Sequence, residues 1–391
     1  MSNIVVIGKN FGDEGKGLAV SNICRQSSDS LIIKHNGGAQ AGHTVETEDG
    51  KRFIHHQIGS GAQFGSPTLW IESFHPDLYQ LGNEIEKFKD TYGFIPKIYA
   101  EGNAYITTID DVIINMGVEV ARKEDRHGSC GMGINECLER GRAGYAISLM
   151  DIFLHEEKWI EETLLNIRKE YSIRRANLQG INSDSHYFDL LNDRDIISGF
   201  VTLVKENIKY IELIEADRYW LSQYDNLIFE SGQGLLLDYD YLQYMPYLTP
   251  SKTGIYNSQI FLKKHGLKID EAIYVTRSYV TRHGEGPLPF QVEAEEIKGL
   301  TRDLTNEPNE WQGSMRYGRH ESLDRFLAPV FDDAADCDFK ISILITHLDE
   351  TKGLVYFKDK EIGIEEVRNY LNDKIHKIYC SYSRYTTDRI V

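Results

Sequence analysis

The chain has 391 residues, 41% of them hydrophobic, which excludes a disordered polypeptide and allows a large α/β domain with a sizeable core. A formal net charge of −17 disfavours non-specific binding to nucleic acid or to an anionic membrane, although a local cluster of arginine and lysine can still hold an anionic small molecule. Five scattered cysteines without a CxxC pair, no basic cleavable leader before Ile4 and no apolar run of membrane-spanning length together predict a cytoplasmic protein with reduced thiols and no membrane contact.

In chain order, residues 4–7 form a short apolar run suited to a buried strand. A glycine-rich turn and a helical pattern over 18–24 follow it. Further strand-like runs lie at 31–33, 98–100, 227–229, 272–275 and 341–345. Helical patterns lie between them, at 76–88, 152–168 and 362–371. Buried strands alternating with helices predict a mostly parallel central sheet flanked by helices, with helical and small accessory subdomains. Residues 151–224 read as mostly helical, with a polar interruption at 177–185, and are expected to be a helical subdomain within a single domain spanning 1–391.

The first turn runs Gly8-Lys9-Asn10-Phe11-Gly12-Asp13-Glu14-Gly15-Lys16-Gly17. Strand, glycine-rich turn and helix aim backbone N–H groups and a helix N-terminus at phosphate. The spacing is neither GxxxxGK[ST] nor GxGxxG, so an ordinary P-loop NTPase is disfavoured. Lys16 supplies a point charge for phosphate oxygens. A carboxylate such as Asp13 is repelled by phosphate unless it holds Mg²⁺ or takes a proton from substrate; the plainer alternative is a solvated Asp-Glu turn. The next strand feeds a second loop of small residues, Gly37-Gly38-Ala39-Gln40-Ala41-Gly42-His43-Thr44. Two consecutive glycine-rich βα loops meet at the carboxyl edge of a parallel sheet, where ligands sit. Beside a phosphate loop, His43 becomes a candidate stabiliser of charge on a leaving phosphate.

GDEGKG at residues 12–17 together with AGHT at 41–44 resembles the adenylosuccinate synthetase family. Weaker segments continue the likeness in family order. They are Glu230-Ser231-Gly232-Gln233-Gly234, Tyr247-Leu248-Thr249, Thr281-Arg282-His283-Gly284-Glu285-Gly286-Pro287, Asn309-Glu310-Trp311, Thr346-His347-Leu348-Asp349 and Tyr379-Cys380-Ser381. The resemblance implies a ligase that moves the γ-phosphate of GTP (or ATP) to O6 of a purine monophosphate and then lets the amine of L-aspartate displace it. It implies Asp13, His43 and Lys16 as catalytic groups, and Mg²⁺ held by Asp13 and the Gly42 carbonyl. Gly12, Glu14, Gly15, Gly17, Gly42, Thr44, Arg319, His347, Asp349 and Ser381 would hold the donor nucleotide, with Asp349 reading guanine. Gln40, Ser129, Cys130, Arg140, Gln233, Thr249, Ser314 and Arg316 would hold the other substrates. A homodimer is implied too, with Arg140 (or Arg142) lent across the interface.

The chain departs from the family pattern at its substrate contacts. Gln40 stands for an asparagine, Cys130 for a phosphate-contacting threonine, Met132 for a basic residue, His347 for a lysine and Ser383 for a glycine. Such drift suits a divergent member doing the ordinary reaction, or a paralogue acting on another 6-oxopurine such as GMP or dGMP. Phage synthetases that lead from dGMP to 2-aminoadenine carry serine at the position of Asp13, which argues against that paralogue. A non-catalytic nucleotide-binding regulator would have no need of Asp13, Lys16 and His43 together.

Overall fold

The computed structural model describes residues 1–27, 29–300, 313–335, 337–386 and 390; Asn309, Glu310 and Trp311 lie outside the described residues. Nine strands build one sheet: β1 (Ser2–Gly8), β2 (Ser30–Lys34), β3 (Thr68–Trp70), β4 (Ile98–Ala100), β5 (Ile211–Leu213), β6 (Asn226–Gly234), β7 (Glu271–Arg277), β8 (Lys340–Thr346) and β9 (Lys377–Cys380). Their spatial order is β9-β8-β7-β1-β6-β2-β3-β4-β5, and every pairing is parallel.

Alternation of side chains along a strand explains why the central runs are apolar throughout. Val5, Ile7, Leu31, Ile33, Leu227 and Phe229 belong to one core, while Val6, Ile32, Ile228 and Val275 belong to another. Both faces are covered, so both sets of alternating side chains must be hydrophobic. A further core gathers Trp70, Ile98 and Ala100 under the helices Leu78–Tyr92, Glu157–Ile167 and Arg194–Asn207. The first of these starts where the Asp77 side chain accepts the N–H groups of Tyr79 and Gln80, and it stops at Gly93, in the left-handed region.

All six strands expected from the sequence lie in this sheet. The three it did not anticipate, β3, β5 and β9, are three or four residues long, too short to display a period. One of them, β5, falls inside the stretch 151–224 that reads as helical. The expected helix over 152–168 is two helices, Leu149–Leu154 and Glu157–Ile167, separated at His155, which is extended. The last expected helix starts only at Ile364, because Glu361–Gly363 pairs as a strand with Leu354–Tyr356. No helix among the described residues is long and apolar enough to cross a membrane.

Candidate active site

The loop leaving β1 wraps the N-terminus of the helix Lys16–Gln26. Gly15 caps that helix at φ +95°, a backbone state that costs a residue with a Cβ. Gly17 lets the helix come close to the second loop: a Cβ there would stand 2.9 Å from Cβ of His43. Asp13 has φ +58°, uncommon for a non-glycine residue, and its carbonyl is held by the Arg277 guanidinium. Glu14 folds beneath the loop, accepting the Asn10 N–H. Its burial pushes the carboxyl up despite the nearby Lys16. The side chain of Lys16 is itself buried, at 3% exposure.

His43 opens a short strand paired with residues 52–55. Its Nδ1 lies 2.7 Å from the Glu230 carboxylate. Glu230 sits opposite Lys34 in the β2–β6 register and makes a 3.0 Å ion pair with it. Ser60 adds its hydroxyl and its N–H, the latter at 3.2 Å. Burial would raise the Glu230 carboxyl, but Lys34 and His43 outweigh it and hold it well below the usual carboxylate range. Burial also pushes the His43 imidazole down to about 4, against the pull of Glu230. The ring is therefore neutral near pH 7. Its Nδ1–H donates to Glu230, and its Nε2 has no hydrogen-bond partner in the protein.

These loops border a cavity of about 1070 Å³. That is at or above the roughly 300–1,000 Å³ of single-ligand pockets, so it has room for more than one small molecule. Gly12 to Gly17, which follow β1 near the centre of the sheet order, and Gln40 to Thr44 line its middle. One end is formed by Thr346, His347, Asp349, Glu350 and residues 382–385. The other is formed by Ser129, Cys130, Gln233, Tyr247, Thr249 and Arg282. Buried polar atoms of Gln40, Thr44, Gln233 and Arg282 have no protein partner. Such groups are costly unless something else satisfies them, so they are consistent with a polar ligand. The loop with Ser129 and Cys130 is anchored from below: the Glu119 carboxylate accepts N–H bonds from His127 and Gly128, each at 3.1 Å.

A family model described as adenylosuccinate synthetase matches residues 5–359. The chain belongs to the adenylosuccinate synthetase family. Its similarity to the adenylosuccinate synthetase of Thermosipho africanus is 30% identity over 307 residues, covering 75% of this chain and 69% of that protein. To the adenylosuccinate synthetase of Trichodesmium erythraeum it is 28% over 363 residues, covering 92% and 78%. Among solved structures, the fully ligated adenylosuccinate synthetase of Plasmodium falciparum superposes with TM-score 0.70 at 18% identity, covering 98% of each chain. The cyanophage S-2L succinoaminodeoxyadenylate synthetase, bound to dGMP and to dATP as an energy donor, superposes with TM-score 0.62 at 14% identity, covering 100% and 95%. As a divergent member of the adenylosuccinate synthetase family, the chain is a carbon–nitrogen ligase of purine biosynthesis.

The structure brings most of the expected residues of this adenylosuccinate synthetase homologue to one cavity, but not all. Arg140 is a correction. It is wholly buried, with Nε and Nη2 each 2.9 Å from the Asp111 carboxylate and its other N–H groups on the carbonyls of Tyr145 and Ile106. The Arg140 guanidinium is thus committed within the fold; Arg142, at the same helix end, is exposed and pairs with Glu139. Arg319 lies over the Tyr356 ring near Glu361 and is not among the residues that line the cavity. The Ser381 hydroxyl donates to the Ser383 carbonyl, and its neighbours Tyr382 and Ser383 line the cavity. Ser314 and Arg316 also fall outside the lining. Arg316 instead binds the Gly284 and Gly286 carbonyls beside the lining residues His283 and Glu285. Sequence reading gave no role to Glu230, Lys34, Arg277 or Arg282. A usable signal was present for the first two: a charge at the end of an otherwise apolar buried run, Leu31-Ile32-Ile33-Lys34 and Leu227-Ile228-Phe229-Glu230.

Proposed function

We propose that the chain uses GTP to join L-aspartate to a 6-oxopurine monophosphate, IMP, through a 6-phosphoryl intermediate. One observation carries the reading: Asp13, Lys16 and His43 line the middle of one cavity, with Asp349 at one end and Gln40, Gln233 and Thr249 towards the other. Asp13 takes the N1 proton of the purine, and O6 attacks the γ-phosphorus. Lys16 neutralises charge on the transferring group. The amine of aspartate then attacks C6, and phosphate leaves with O6. Arg316, held on the Gly284 and Gly286 carbonyls beside the lining residues His283 and Glu285, is the expected arginine left to serve the aspartate carboxylates.

With Nδ1–H given to Glu230, the neutral His43 ring presents only a lone pair at Nε2. To donate to the leaving β-phosphate it must take up a second proton, and a bound polyphosphate beside Glu230 favours that imidazolium. The donor set for Mg²⁺ fits its chemistry: one carboxylate from Asp13 and the Gly42 carbonyl suit a hard cation that takes its remaining oxygens from water and phosphate. When bound, the ion would offset negative charge on the phosphates. The Asp349 carboxylate accepts from guanine N1–H and N2–H₂, a pair of donors that adenine lacks, which favours GTP over ATP. We also propose that the chain acts in the cytoplasm as a homodimer, with Arg142 the arginine exposed for a partner. The test is a substrate panel on the purified protein: IMP, GMP, dGMP or XMP with aspartate and GTP or ATP. The expected result is a product carrying aspartate from IMP and GTP. Turnover confined to dGMP or to ATP would overturn the assignment of substrate or donor.

A further inference from the structure

We propose that Arg384 is a specificity residue that reads the O6/N7 edge of the donor's guanine while Asp349 reads the N1/N2 edge. The inference rests on the reading of the Asp349 end as the donor-base end.

Arg384 lines that end of the cavity together with His347, Asp349 and Tyr382. Its side chain is 64% exposed, yet it is held. Nε lies 3.1 Å from Glu46, and Nη2 donates to the Tyr385 hydroxyl at 3.3 Å. Glu46 is fixed in turn, because its other carboxylate oxygen accepts Nε of Arg52 at 2.9 Å. The backbone reinforces the arrangement: Tyr385 bridges to Glu46, and the Thr386 N–H donates to the Glu46 carbonyl at 3.0 Å. The segment after β9 is thus stitched to the end of the short strand His43–Glu46 that begins with the candidate catalytic histidine. Nη1 of Arg384 has no hydrogen-bond partner among the described residues.

A guanidinium fixed through Nε offers its remaining N–H groups as a fork. Guanine presents two acceptors, O6 and N7, on one edge, and the arginine fork matched to them is the commonest specific contact to that base. The adjacent edge presents the N1–H and N2–H₂ donors that suit a carboxylate. A cation and an anion reading neighbouring edges must stand close together, and Arg384 and Asp349 both line this end of the cavity. Adenine would set its N6–H₂ donor against the guanidinium and leave the Asp349 carboxylate without N1–H.

The test is donor kinetics with GTP, 7-deaza-GTP and ATP for wild type, Arg384→Leu and Arg384→Lys. Loss of N7 should raise the wild-type KM for the deaza donor roughly two- to tenfold, the net effect of one ordinary hydrogen bond at an exposed site. Arg384→Leu should raise KM for GTP by about 5–100-fold, the range for a bidentate base contact, and should bring GTP and 7-deaza-GTP together. Arg384→Lys keeps the charge but not the fork, so it should lose the same discrimination. If Arg384 merely clamps Glu46, KM for both guanine donors rises in parallel with their ratio preserved, which overturns the proposal. Equal KM for the two donors in wild type also overturns it, without any variant having to fold. A wild-type chain that uses ATP as readily as GTP would instead overturn the donor assignment on which the proposal rests.

Discussion

The cavity's middle and its monophosphate end are built in different ways. Behind the middle, Lys34, His43 and Ser60 form a buried polar cluster around the Glu230 carboxylate, from which only Nε2 of His43 is left for a ligand. At the monophosphate end, Gln233 and Arg282 leave polar atoms without protein partners. A residue in the first region is constrained by its neighbours as well as by its chemistry, since an unpaired buried charge is costly. A residue in the second answers mainly to the ligand. The departures from the family pattern, Gln40, Cys130, Met132, His347 and Ser383, all lie outside the buried cluster. Packing therefore protects the candidate chemistry while the substrate contacts are free to drift.

The largest expected effects come from the middle. Asp13→Asn and His43→Asn should each lower kcat by roughly 10²–10⁴-fold with the fold intact, the range for acid–base and charge-stabilising groups. Single-turnover phosphate release measures this, and near-native turnover in either variant would remove that residue from its role. Glu230→Gln should instead act on the fold, costing about 3–5 kcal/mol because it strands Lys34 without its counter-charge. Urea unfolding reads that cost. Ser129→Ala, at the monophosphate end, should fall within about 1 kcal/mol by the same measurement. Equal losses in the two variants would erase the contrast between the regions.

The two arginines of the helix Ile134–Arg142 sharpen the comparison. Arg140→Leu breaks a fully buried pair and should also cost about 3–5 kcal/mol of stability, with activity per folded molecule retained. Arg142→Leu should leave stability within about 0.5 kcal/mol and lower activity if a partner subunit uses that side chain. Mixing Arg142→Leu with Asp13→Asn subunits should then restore about a quarter of native activity, because half of randomly exchanged dimers are mixed and each has one intact site.

The smallest effect is a pH dependence. Free His43 sits near 4 and is neutral from pH 6 to 8, whereas the proposed donor complex holds it protonated. Donor binding should then take up a proton, and KM for the donor should rise by up to about tenfold per pH unit between the free value of His43 and its raised value in the complex, levelling off above the latter. Calorimetry in buffers of different ionisation enthalpy measures the uptake. A donor KM independent of pH, with no proton taken up on binding, would show that the ring stays neutral in the complex.

Much of this was legible in the sequence, for physical reasons that also mark where reading stops. Runs such as Ile4-Val5-Val6-Ile7 announce doubly covered parallel strands, and the glycine-rich loops after two of them announce the edge where ligands sit. Two charges at the ends of buried runs, Lys34 and Glu230, become partners only once strand register sets them opposite each other. In sequence, an arginine in a helix's last turn looks the same whether it faces solvent or, like Arg140, the core. Its partner Asp111 lies 29 positions earlier and is brought to it only by the packing of two helices. The arginines at 316 and 319 were placed by motif order, but the Gly284 carbonyl and the Tyr356 ring that hold them depend on tertiary structure.

The central claim is that O6 of the purine is phosphorylated before the amine arrives. The most direct measurement follows the oxygen itself, using IMP labelled with ¹⁸O at position 6 together with GTP, Mg²⁺ and aspartate. Mass spectrometry of the released phosphate should show one ¹⁸O per turnover, because displacement at C6 expels the former O6 with the phosphoryl group. Unlabelled phosphate formed alongside the aspartate adduct would contradict the account.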